Sequence, residues 1–387
     1  MNLGKIWIMK RVGFLLLLMP ALALAMPAFA QALAPVLSDS QEKGSLIVFP
    51  KFIRGTVALP EGGTAPKTEI EVQVDCPVAF TCTEHQPVKI RFHWICPSFE
   101  GDVSGSFVCR ETDFDVTATV FEKIVFTPDG GPTSTSGLPN HVAPAAECAR
   151  GYLIGWVIRP TDDAAIKFDA LTGDGVLRAT GTAVAAYPAI PVQADPGLAN
   201  MAVIASNGAA LPIGFVGGYT GVTGRVIGDI RYPNTTTGPT FTEAAITLLT
   251  LDVRSNRPNN PVFVDLDFFA GNPSVFGNEN QLSTFTEFIC WTQVRVDLID
   301  ANLNQGLMGR KGTWESGPAT KLSIQGIPDT TGPVTLLGLV EITEGGAPFR
   351  VDREYITVLS NDSILVPTFF VPTPSPIPPR IVGGTGG

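Results

Sequence analysis

The stretch VKIRFHW, residues 88–94, decides the fold: Val88, Ile90, Phe92 and Trp94 fall on one parity, and Lys89, Arg91 and His93 on the other. Side chains of an extended strand alternate between two faces, so this run offers an apolar face to a core and a polar face to water. The same alternation lies upstream, where Ile70, Val72 and Val74 interleave with Glu69, Glu71, Gln73 and Asp75. It returns in Phe114, Val116, Ala118 and Val120, in Val262, Val264, Leu266 and Phe268, and in Val294, Val296 and Leu298. Antiparallel sheets with one covered face behave this way. Two further runs, Leu46 to Phe49 and Val334 to Val340, are apolar on both parities and read as strands buried on both faces.

Turn signals punctuate these runs at short spacing: Asp129-Gly130-Gly131, Asn207-Gly208, Pro233-Asn234 and Glu344-Gly345-Gly346. Many short strands divided by turns indicate β-sandwich architecture rather than a βαβ sheet. At 387 residues the chain has room for two domains. The Gly/Pro-rich segment 195–224 is the natural boundary. The expectation is all-β: two antiparallel, Ig-like β-sandwich domains over 38–195 and 220–365. A hairpin of Glu69–Asp75 with Val88–Trp94 would bring opposite charges together if Glu71 faced Arg91, Gln73 faced Lys89 and Glu69 faced His93. Val72 would then oppose Ile90, and Ile70 would oppose Phe92.

The N-terminus reads as an address. Lys5, Lys10 and Arg11 precede an apolar run from Val12 to Ala25, followed by Ala28-Phe29-Ala30 and then Gln31. Positive, apolar and small-residue segments in that order form a secretory signal peptide over 1–30, and the run is short for a membrane span. Cleavage is expected before Gln31, or before Ala34 at an alternative small-residue site. The mature protein is expected to be secreted, periplasmic or extracellular, with no membrane span. The C-terminal segment 366–387, VPTFFVPTPSPIPPRIVGGTGG, is a Pro/Gly-rich tail. Its Arg380-Ile381-Val382-Gly383-Gly384 matches a protease activation junction, but only three residues follow, so the match is read as chance.

Charge excludes some partners. The chain carries 26 Lys and Arg against 36 Asp and Glu, a net charge of −10, which argues against a general nucleic-acid binder. In an oxidising compartment the six cysteines Cys76, Cys82, Cys96, Cys109, Cys148 and Cys290 read as disulfides. The expected scheme joins Cys76 to Cys82, Cys96 to Cys109 across a hairpin, and Cys148 to Cys290. Zinc is the competing reading, but the chain has no C-x-x-C and only three histidines.

The sequence contains no P-loop, no H-E-x-x-H and no G-x-S-x-G. His85, His93 and His141 read as solvated. Asp265 and Asp267 are i, i+2 on one strand, so they share a face and could serve two-carboxylate glycoside chemistry or hold a divalent cation. Trp291 and Trp314 could supply a sugar-stacking platform, although buried core aromatics explain them about as well. Asp300, Asn302 and Asn304 offer oxygen atoms at alternate positions, as calcium loops do, but Lys311 stands where the bidentate Glu of an EF-hand would be.

Several stretches resemble a group of uncharacterised exported bacterial β-rich proteins. Such proteins open after the signal peptide with a K-G-S-(L/V)-aliphatic-aromatic strand, here Lys43-Gly44-Ser45-Leu46-Ile47-Val48-Phe49. A Cys-flanked hairpin like Cys96 to Cys109 follows, then Cys148 with Gly151-Tyr152-Leu153. The segment from Ile166 to Gly175, running on to Tyr187, resembles a further element of the group. The resemblance implies an exported β architecture and no particular activity. The reading is therefore a secreted, non-enzymatic β-sandwich protein with a structural, adhesive or binding role at the cell surface, its partner a glycan or a surface protein. The alternative is a carbohydrate-active enzyme or carbohydrate-binding module built on Asp265 and Asp267.

Overall fold

Alternation of apolar and polar residues becomes alternation of buried and exposed ones. In strand Lys67–Val74 the side chains of Ile70, Val72 and Val74 are fully buried, while Lys67 and Gln73 face solvent. The computed structural model describes residues 42–55, 66–97, 109–133, 141–179, 182–204, 218–220, 224–230, 241–251, 262–269, 281–295, 320–327, 335–345, 353–358 and 360–361. The segment 1–30 expected to be a signal peptide, the expected tail 366–387, Trp314 and the trio Asp300, Asn302 and Asn304 lie outside the described residues. The regular structure of the described residues is all-β, in several antiparallel sheets. Among them no helix is long and apolar enough to cross a membrane.

The first half supplies β1 (Leu46–Ile53), β2 (Lys67–Val74), β3 (Pro87–Cys96), β4 (Arg110–Thr119), β5 (Lys123–Phe126), β6 (Gly131–Pro132), β7 (Val142–Ala143), β8 (Arg150–Ile158), β9 (Leu171–Ala179), β10 (Thr182–Pro188) and β11 (Ile190–Val192). They form a five-stranded sheet in the order β11-β1-β8-β3-β4, a four-stranded sheet β10-β9-β2-β5, and the small pair β6-β7. The second half supplies β12 (Arg225–Ile230), β13 (Phe241–Leu249), β14 (Val262–Phe269), β15 (Gln281–Phe288), β16 (Trp291–Arg295), β17 (Thr320–Ile327), β18 (Leu337–Gly345), β19 (Arg353–Val358) and β20 (Ser360–Asn361). These build the sheets β15-β14-β17-β12-β20 and β16-β13-β18-β19.

The main core draws on both sheets of the first half: Ile47, Phe49, Ile90 and Phe92 from one, Ile70 and Val72 from the other. Aromatic rings fill its middle. Phe92 stacks on Phe114 at 5.4 Å between centroids, and Phe126 meets Phe92 edge-on at 5.2 Å. Each fully buried ring of this kind contributes about 1.5–3 kcal/mol. Glycine makes the room. A Cβ on Gly155 would stand 2.4 Å from the Phe92 ring, and one on Gly175 would stand 2.2 Å from that of Tyr187.

The hairpin register expected for β2 and β3 does not form. Strand β2 pairs with β5 and β9, and β3 pairs with β4 and β8, so the two strands lie in different sheets. Glu71 faces Val125 and Asp174, and Arg91 faces Asp115 and Trp156. Parity cannot separate the two arrangements, because a strand pair in one sheet and a strand pair facing across a core both put the two apolar stripes inward. The charge matching has moved to other partners: Arg178 binds Glu69, Lys123 binds Glu71, and Arg91 binds Asp115.

Disulfides correct a second expectation. Cys76 bonds to Cys82, but Cys96 bonds to Cys148 rather than to Cys109, and Cys109 bonds to Cys290. Cys96 ends β3 with its side chain in the main core, where Cys148 packs, whereas Cys109 packs with Cys290 on the sheet's other side. The third bond joins residues 181 apart and ties the two halves together. A peptide map of unreduced protein is expected to show Cys96 linked to Cys148 and Cys109 linked to Cys290. Cys109→Ser with Cys290→Ser should destabilise by up to about 5 kcal/mol in a urea titration, the loop-entropy limit for so long a closure.

The halves also share a polar contact buried from water. Lys51 of β1, 5% exposed, pairs with Glu341 of β18, 2% exposed. Thr247 Oγ1 and Gln293 Nε2 each donate to Glu341 Oε2 at 2.9 Å. Removing one member of a buried pair strands the other charge, at about 3–5 kcal/mol. Lys51→Met is expected to lose stability by that amount in chemical denaturation. Adding Glu341→Gln should restore more than half of it, because the stranded charge is then gone.

Candidate functional site

The polar face of β3 leads to the site. The antiparallel register sets Lys89 opposite Thr117, Arg91 opposite Asp115 and His93 opposite Asp113, with Ile95 opposite Glu111. These residues lie on the face of the five-stranded sheet that turns away from the main core. Arg91 grips Asp115 with two bonds, Nε to Oδ1 at 2.9 Å and Nη2 to Oδ2 at 3.1 Å. Lys89 Nζ reaches Asp115 at 2.9 Å and Asp163 at 2.8 Å, and Arg91 Nη2 reaches Asp163 at 3.0 Å. Burial pushes the Asp115 carboxyl up, but the bonds from Arg91 and Lys89 outweigh it and hold the group below its usual value. Asp163 is lowered by its bonds to Lys89 and Arg91. This half of the ladder is charge-balanced.

The other half is not. His93, expected to be solvated, is 8% exposed, its ring stacked on the Trp156 indole with centroids 4.5 Å apart and planes 17° from parallel. Its Nδ1 lies 2.6 Å from Asp113 Oδ1 and 3.5 Å from Glu111 Oε2. Neither ring nitrogen makes an aligned hydrogen bond, although Nδ1 lies within reach of both carboxylates. His93 holds the Glu111 carboxyl below its usual value, whereas burial pushes Asp113 up. The three donor atoms lie within 4.8 Å of one another, close enough to hold a metal ion. Sequence reading missed the trio because His93 lies on a different strand from Glu111 and Asp113 and meets them only through the register of β3 on β4. The available signal was the odd-numbered acidic run Glu111, Asp113 and Asp115 opposite the odd-numbered basic run of β3.

Asp265 and Asp267 stand where sequence put them, on one face of β14, opposite Gln325 and Ser323 of β17. The flanking Val264 and Leu266 are fully buried, so the carboxylates point away from that core. Asp265 is half-buried, and its Oδ1 is enclosed without a hydrogen-bond partner. Loss of solvent, reinforced by the Asp267 charge, pushes its pKa up to about 6. The tryptophan expected beside them is elsewhere. Trp291 is 6% exposed on β16, in the other sheet of the second half, and its Nε1 donates to Pro50 O at 2.8 Å. It serves the contact between the halves and offers no stacking surface.

No protein-family model matches this chain, and no curated protein or solved structure matches it either.

The raised Asp265 carboxyl has a consequence for stability. Its folded pKa lies above the unfolded value of 3.8, so its contribution is most favourable below pH 3.8 and declines as pH rises through about 6. Asp265→Asn removes the ionisation and is expected to raise the melting temperature at pH 8 while leaving it almost unchanged at pH 4. Partial exposure of the group limits the gain to about 1 kcal/mol. An unchanged difference between the two proteins from pH 4 to pH 8 would refute the assignment.

Proposed function

We propose that this chain is an exported protein that works outside the cytoplasm as a structural, adhesive or binding protein, built from two Ig-like β-sandwich domains. The observation that carries the reading is that all six cysteines are consumed in three disulfides, with no free thiol. Such bonds persist in oxidising compartments and are rare where glutathione keeps thiols reduced. The signal-like segment 1–30 and the resemblance of the Lys43–Phe49 opening to exported proteins support the same address. A rigid, stapled β scaffold suits a protein that presents a surface in an environment with little repair. The β scaffold, and a sequence with no P-loop, H-E-x-x-H or G-x-S-x-G, support that role.

A second reading, carbohydrate chemistry at Asp265 and Asp267, is favoured by one observation, the enclosed and raised Asp265 carboxyl beside a second carboxylate. A carboxyl protonated near neutral pH is what a general acid needs.

One experiment separates the readings. The full chain is expressed in a bacterium with its own N-terminus, and exported protein is recovered from periplasm and medium. An N-terminus at Gln31 or Ala34, no thiol titratable in unfolded unreduced protein, and binding on a glycan array without hydrolysis of a polysaccharide panel are the expected results. An intact Met1 on retained protein, or six free thiols, would overturn the exported reading. Hydrolysis abolished by Asp265→Asn would replace the non-enzymatic role by the second reading.

A further inference from the structure

We propose that His93, Glu111 and Asp113 bind one first-row divalent transition-metal ion, of which zinc is the representative, through His93 Nδ1, Glu111 Oε2 and Asp113 Oδ1. One imidazole with two carboxylates is a donor set suited to such ions, and the imidazole disfavours calcium and magnesium, which take oxygen ligands.

Three observations support the site. The first is an imidazole nine-tenths buried, with neither ring nitrogen hydrogen-bonded and Nδ1 turned toward the two carboxylates. A buried polar atom without an aligned hydrogen bond is costly, and a metal ion bonded to Nδ1 would give that nitrogen a directed partner. The second is geometry. With bonds of about 2.0–2.1 Å, neighbouring ligand atoms in a tetrahedral shell lie about 3.3–3.4 Å apart. Glu111 Oε2, 3.5 Å from Nδ1, is already at that spacing, and Asp113 Oδ1 at 2.6 Å needs to retreat by less than an ångström. Asp113 has freedom to do so, its side chain being 54% exposed. The third is charge. Lys89 and Arg91, the cations of the same ladder, are engaged by Asp115 and Asp163, so the end of the ladder at Glu111 and Asp113 gathers carboxylates around the imidazole.

Rigidity and access fit the same assignment. The His93 ring is fixed by its stack on Trp156, and both lie on strands paired in register. Glu111 is 38% exposed, so ions can enter from solvent, and a water can complete the shell. The cysteines are all bonded and contribute no thiolate.

The test uses the full disulfide-bonded chain, made without a polyhistidine tag, stripped with EDTA and kept free of reductant. Titration with zinc alone, followed by calorimetry, is expected to show one equivalent bound and a rise in melting temperature. Cobalt(II) is expected to compete and to show visible ligand-field bands. His93→Gln, Glu111→Gln and Asp113→Asn should each weaken zinc binding about tenfold or more. His85→Gln and Asp265→Asn should leave it unchanged. Glu111 and Asp113 are partly exposed, so their variants keep the fold even if His93→Gln disturbs the stack on Trp156. No zinc binding by the wild-type chain, or binding unaffected by Glu111→Gln and Asp113→Asn, overturns the proposal. So does calcium binding as tightly as zinc.

Discussion

Strand Leu46–Ile53 has no exposed residue, and the rest of the structure is arranged around that constraint. Its Ile47 and Phe49 enter the core between the two sheets of the first half, while Leu46 and Val48 enter a second cluster with Leu249, Leu251 and Trp291. A strand apolar on both faces needs two covers. The second half supplies one of them, so the contact between halves is a requirement of β1 rather than an addition to it. The strand also breaks its own ladder. Phe49 faces Leu153 and Phe52 faces Gly151, which leaves Pro50 and Lys51 together opposite Tyr152, the two-against-one pattern of a bulge.

That bulge converts sequence into assembly. Proline has no N–H to donate, so a strand tolerates it where the ladder is already interrupted. The carbonyl of Pro50 accepts from the Trp291 indole, and that of Lys51 accepts from the Tyr187 hydroxyl. The Lys51 side chain continues to Glu341, and Tyr152 Oη reaches Thr250 O at 3.2 Å. The polar groups of this contact are therefore satisfied from both halves, which a purely apolar contact would not require. A buried ion pair adds little net stability compared with well-packed hydrophobes, but one misplaced partner leaves a stranded charge. Hydrogen bonds and a buried pair at the bulge thus restrict how the second half can dock, and Cys109–Cys290 fixes the result covalently.

Strand content was legible because burial follows local periodicity. Ile70, Val72, Val74, Ile90 and Val116 are all buried as their parity demands. The run Leu46 to Phe49 was readable as covered on both faces for the same reason. Pairing was not legible. The hairpin between β2 and β3 and the Cys96–Cys109 bond both assumed that strand-like runs near in sequence are neighbours in a sheet. The chain instead crosses from one sheet to the other between β2 and β3, a choice made by long-range packing that parity does not encode. The site followed the same division. Asp265 and Asp267 share a face because they share a strand, whereas His93 meets Glu111 and Asp113 only through the register of β3 on β4.

His93 lies where β3 changes character. Up to Arg91 the strand alternates, and from Phe92 onward every residue is buried, because the outer face passes beneath Trp156 and then toward the second half. A lysine or arginine at the crossing point would have to carry its charge into that cover, as Lys89 and Arg91 do not, since both remain partly exposed beside carboxylates. Imidazole can stack its flat face on an indole and still present a nitrogen to the acidic strand next to it. The same edge of burial that removes water from the ring leaves Glu111 and Asp113 partly exposed. Donor atoms with one side dry and the other open are what let a cation be held yet exchanged, and in this fold that condition is set by how far the second half covers the sheet.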